Sequence, residues 1–160
     1  MNEKDDDDRP LMTPRSPSIE RARREFEHPS PTGDPEVIAL LDHLSEAEQN
    51  ASRACAQAAQ LLKDEDLAKA ASDQSALHEQ HRQALGKLVE HLGGSPLRPD
   101  ECRQILTHDP ASITRATSDD AVMQTLGAMR TELRALYASA MTHPRLDAHQ
   151  RSILDLIGTI

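Results

Sequence analysis

Aromatic side chains are almost missing from this chain: in 160 residues there is no tryptophan, one phenylalanine, Phe26, and one tyrosine, Tyr137. That shortage starves a sheet of residues that pack a pleated surface, while abundant Ala and Leu suit closely packed helices, so the sequence predicts an all-α fold. Cysteine is scarce too. Cys55 and Cys102 are too few for a disulfide framework or a metal knuckle. The start, "MNEKDDDDRP", lacks the apolar core of a signal peptide, and no apolar run approaches the length needed to cross a bilayer. A soluble protein of the reducing cytoplasm is expected. Basic residues are also in deficit: the net charge is −9 and the pI near 5.3. No broad cationic face is available for phosphates or anionic lipid, which argues against nucleic-acid and membrane partners.

At this length one domain with a real core is expected. Residues 1–34 hold prolines at 10, 14, 17, 29 and 31, the run "DDDD" at 5–8 and few large apolar side chains, and are expected to form a disordered acidic tail. Within it "IERARREFE" (19–27) reads as a solvated, fraying helix. The folded part is expected over 35–160. Asp34 reads as a helix N-cap, with Pro35 at the first helical position and Glu36 in the first turn. A first helix then carries Val37, Leu41, Leu44, Glu48, Ala51, Cys55, Ala58 and Leu62 on one seam, at the four-and-three spacing of a packed bundle. "KDED" (63–66) turns the chain, and a second helix repeats the pattern through Leu67, Ala71, Gln74, His78, His81, Leu85, Leu88 and Leu92. "GG" at 93–94 with Pro96 beyond ends it.

From Gly93 to Thr117 periodicity fails, leaving room for at most a short helix near 100–106. "TSDD" (117–120) caps a third helix, with a seam of Val122, Leu126, Met129, Leu133, Leu136 and Ala140. Pro144 marks the start of a fourth, with Leu146, His149, Ile153, Leu156 and Ile160 in phase. Two helical hairpins joined by a long crossover are the connectivity of a ferritin-like four-helix bundle, which places the third helix parallel to the second.

The residues carry a matching resemblance. "DHLSEAEQNASRACAQAAQLLKDEDLAKAASDQSALHEQHRQALGKLVEHLGGSP" resembles the first hairpin of a bacterial ferritin-like family of unknown function, and "ATSDDAVMQTLGAMRTELRALYASAM", with Tyr137, resembles its third helix. The resemblance covers about residues 36–158 and implies a di-iron site in which two helices each give a Glu and two give Glu-x-x-His. This chain departs from that pattern. The second helix has His78 and His81, the fourth has Leu146 and His149, and the third has Arg130 near the carboxylate position, with Glu132 close by. The first helix offers Glu46 or Glu48, of which Glu48 falls on the seam. Oxygen-activating di-iron chemistry is therefore not expected.

Reflecting the hairpin about its turn sets Glu48 level with His78 and His81, and parallel second and third helices would bring His149 within about a turn of that height. Imidazoles with one carboxylate suit a single Zn or Fe(II) ion. The plainer alternative is a buried polar network that sets helix register. No phosphate-binding loop, nucleophile elbow or His-Glu-x-x-His motif is present. Cys55 reads as a small hydrophobe, and Cys102 as a more exposed thiol without a base. The expected role is a non-enzymatic interaction module, with protein partners or self-association through helix faces and with one transition metal as a candidate ligand. The alternative is a metal-handling or oxidase-type ferritin-like protein.

Overall fold

The computed structural model describes residues 33–159, so the expected tail of residues 1–34 lies outside the described residues, apart from Gly33 and Asp34. Among the described residues the fold is all-helical, with five helices: α1 (Pro35–Leu61), α2 (Glu65–His91), α3 (Pro110–Thr114), α4 (Asp119–Met141) and α5 (Ala148–Gly158).

Local signals account for the ends. The Asp34 carboxylate accepts from the Glu36 N–H at 2.9 Å and Pro35 opens α1, where a missing N–H costs nothing. Asp64 caps α2 through the Asp66 and Leu67 N–H groups. At the far end Gly93 takes φ 80°, and Gly94 N–H reaches back to the Val89 carbonyl at 2.9 Å, the Schellman closure that a residue with a Cβ adopts only at a cost.

α1 is the axis of the fold. α2, α3 and α4 all pack on it, while α5 packs on α4. Its expected seam is buried throughout, but burial goes further: every residue from Leu44 to Ser52 is buried, so no face of that stretch meets water. Small residues let α2 approach closely there. Ser52 and Ser75 exchange hydroxyl-to-carbonyl bonds of 3.0 and 2.9 Å across the two helices. Each fully buried leucine of the seam, such as Leu41 or Leu85, contributes about 1.5–3 kcal/mol.

The crossover covers the remaining face of α1. Asn50, fully buried, accepts from the N–H groups of Ile105 and Leu106 at 2.6 and 3.1 Å and donates to the Arg103 carbonyl at 2.9 Å. Those bonds occupy backbone groups that a helix would use; residues 100–106, which left room for at most a short helix, form none, and a short helix follows at 110–114, capped by Asp109 with Pro110 at its start. The crossover ends beside the first hairpin turn, where the Asp119 carboxylate accepts from the Lys63 and Asp64 N–H groups at 3.0–3.2 Å. α4 thus starts beside the start of α2.

The last helix corrects the expected phase. Leu146 is buried but precedes the helix, because Asp147 is the N-cap and Gln150 closes a capping box with it. Counting from Leu146 put His149, Ile153 and Leu156 inward, whereas the buried positions of α5 are Gln150, Leu154 and Ile157. Leu156 is 74% exposed.

Candidate metal centre

Glu48 sits at mid-length of α1 with 1% of its surface exposed. A carboxylate so buried needs donors, and two other helices supply them. The three-residue spacing of His78 and His81 puts both imidazoles on the face of α2 that meets α1, edge to face with ring centroids 6.1 Å apart. His78 Nδ1 lies 2.7 Å from Glu48 Oε2, and His81 Nδ1 lies 3.6 Å from Oε1. From α4 the Tyr137 hydroxyl donates to Oε1 at 2.7 Å. An ionised carboxylate only accepts, so His78 Nδ1 carries the hydrogen of its short bond.

The electrostatics follow from this set of contacts. Burial works to raise the Glu48 pKa, but the hydrogen bonds from His78 and Tyr137, with the His81 imidazole close by, outweigh it and hold the carboxyl below its ordinary value. The Tyr137 phenol moves the other way: burial and the Glu48 charge raise its pKa strongly, so it stays a donor. Gly158 of α5 closes over the tyrosine, where an added Cβ would lie 3.1 Å from the Tyr137 Cβ. Around these groups is a cavity of about 20 Å³, enough for one water-sized occupant, bordered also by Gln74, Arg130 and Ile157.

Glu48, His78 and His81 form a cluster in which one ligand atom from each lies within 4.8 Å of the others. Ligand atoms bound tetrahedrally to zinc at about 2.0–2.1 Å stand roughly 3.3 Å apart, so an ion held here would take the place of the hydrogen on the 2.7 Å His78–Glu48 bond.

The other candidate residues are elsewhere. Glu46 is buried but turned to the crossover, where Arg103 donates from Nε at 2.7 Å and from its second guanidinium nitrogen at 3.0 Å. Those bonds hold the Glu46 carboxyl below the usual range. Glu132 also serves the crossover, accepting from the Thr107 N–H at 2.8 Å and its hydroxyl at 3.0 Å, with His108 at 3.3 Å. His149 is exposed near the start of α5, bordering a groove with Lys87, Leu88 and His91. The capping box sets the α5 register one residue away from the expected one, so His149 is not brought to Glu48.

The cysteines divide. Cys55 is buried on the α1 seam as expected, and burial pushes its thiol up to about 11. Cys102, expected to be more exposed, is also buried, its thiol 3.4 Å from the Arg98 carbonyl, and burial raises its pKa as well. Neither is a ready nucleophile.

Tyr137 is the contributor that residue pattern does not assign to the cluster. It lies one position past Leu136 on the expected seam, and its only signal is that a lone tyrosine buried in an α-helical core needs a partner for its hydroxyl. No helix among the described residues is long and apolar enough to cross a membrane. Comparison of the chain with known protein families, with characterised proteins and with solved structures gives no match.

Proposed function

We propose that this chain is a ferritin-like, non-enzymatic helical interaction module of the reducing cytoplasm that holds one transition-metal ion, zinc or ferrous iron, through Glu48, His78 and His81. The observation that carries it is a single buried carboxylate facing two imidazoles in one layer of the bundle, with one ligand atom from each within 4.8 Å of the others. One carboxylate with two imidazoles suits one divalent ion. Two ions need bridging carboxylates. Glu46 and Glu132 are committed to the crossover, so the donors present do not fit a di-iron centre, and no metal-handling or oxidase step is derived from them.

In this proposal His78 and His81 supply nitrogen, Glu48 supplies oxygen, and Tyr137 orients the carboxylate from behind. The bound ion would stiffen the α1–α2 contact. Exposed apolar side chains on the helices, Leu61, Met123 and above all Leu156, support contact with a protein partner or a second copy.

A second reading has its own support. The Tyr137 and His78 bonds already give each Glu48 oxygen a short donor, which is the pattern of a self-sufficient polar network that sets helix register. Metal analysis of the purified full chain, with thermal melts in EDTA, Zn and anaerobic Fe(II), separates the two. A bound ion at one per chain is expected, with a stabilisation of about 2.7 kcal/mol at a hundred times the dissociation constant, lost when His78 and His81 are replaced together. Identical melts in all three media would leave the polar network as the answer.

A further inference from the structure

A second opening lies beside the cluster, between the first halves of α2 and α4. It is a cleft of about 220 Å³. Leu67 and Ala71 of α2 and Met123 and Leu126 of α4 form its apolar walls, with Cys55 of α1 also lining it. Gln74, His78 and Arg130 supply its polar groups, on the side that adjoins the cluster cavity, which they also border. Apolar walls with a few convergent polar groups are the make-up of a small-molecule site.

Two further observations narrow the ligand. Arg130 is exposed and makes no ion pair among the described residues, and a guanidinium pairs best with a carboxylate through two parallel bonds. Gly127, within α4, lines the same cleft, yet an added Cβ there would meet nothing within 4 Å. A glycine inside a helix weakens it, and here no protein neighbour requires the missing side chain. What its absence leaves is open volume.

Size follows by proportion. A cavity of about 150 Å³ accommodates benzene, so about 220 Å³ scales to roughly nine non-hydrogen atoms. The lining runs along α2 from Leu67 to His78, about 16 Å at the helical rise, which favours a chain over a ring. His78 stands between the cleft and Glu48, whose oxygens face His78 and Tyr137.

We propose that this cleft binds a small carboxylic acid with an unbranched apolar tail, its carboxylate on Arg130 and the Gln74 amide and its tail along Leu67 and Met123. The test uses the full chain in EDTA, so that it does not depend on metal, with heptanoate, heptan-1-ol and heptylamine as probes read by calorimetry and amide chemical shifts. Heptanoate is expected to bind most tightly and the amine least. Arg130→Gln should weaken heptanoate about tenfold and leave the alcohol unchanged, the loss of one charge-assisted contact. Gly127→Leu, built into open space, should abolish binding of both while the helical circular dichroism stays that of the parent. Absence of heptanoate binding, equal affinity for the three probes, or binding that survives Gly127→Leu would each overturn the proposal.

Discussion

Replacing Tyr137 by Phe keeps the ring in the core and removes one oxygen, the donor 2.7 Å from Glu48 Oε1. The remaining neighbour of that oxygen, His81 Nδ1, is 3.6 Å away, beyond hydrogen-bond distance. A hydrogen bond to a charged group contributes about 1.5–3 kcal/mol, and burial of both partners, 4% and 1% exposed, places this one in the upper half of that range. A loss of about 2–3 kcal/mol is expected, which for a fold of this size lowers the melting temperature by roughly 6–12 °C. The assay is thermal and urea unfolding of the metal-free chain in EDTA, as a double-mutant cycle with Glu48→Gln. The coupling energy should exceed about 1 kcal/mol, because Glu48→Gln removes the charge that strengthens the bond Tyr137→Phe deletes. A Phe variant within about 0.5 kcal/mol of the parent, or a coupling energy near zero, would refute the assignment of Tyr137 as the donor that holds Glu48.

Three further outcomes are expected. Asn50→Ala removes three bonds to the crossover and should cost about 3 kcal/mol; hydrogen exchange at the Ile105 and Leu106 amides should accelerate, and unchanged protection there would contradict the clamp. Gly127→Ala should stabilise the chain by about 0.5–1 kcal/mol, since the added methyl meets open space and the helix gains propensity; a destabilised variant in urea unfolding would show a packing constraint at that position. Arg103→Ala should move acid unfolding to higher pH. Arg103 holds the folded Glu46 pKa below 4.5, so the pair's stability is present above that value and lost as pH falls through the lowered one; an acid midpoint unmoved by the substitution would detach Glu46 from the acid transition.

Much of this protein is legible without its structure. Asp34 with Pro35, the "GG" at 93–94 and the alternation of four and three along Val37 to Leu62 are local signals, readable because capping and helical periodicity depend on residues within a turn of each other. Glu48 opposite His78 and His81 was legible for the same reason: a hairpin with a short turn fixes the height of one helix against the other by counting. The length of the crossover likewise left room for α4 to start beside the start of α2, and the Asp119 carboxylate on the Lys63 and Asp64 N–H groups places it there.

Tertiary structure decided the rest, where the partner lies far along the chain or a small rotation changes the outcome. His149 turns outward because the capping box starts α5 after Leu146, and a shift of one residue rotates a helix face by about 100°. Glu46, Asn50 and Glu132 carry no mark in the sequence that ties them to residues 103–108, since side chain and backbone meet across 25 to 57 positions of chain. Tyr137 joins Glu48 across 89 positions, and Cys102 is buried by the path of a loop that has no period to read. Periodicity determines which face of a helix turns inward; only the packed chain decides what that face meets, because long-range contacts depend on how whole helices rotate and slide against one another.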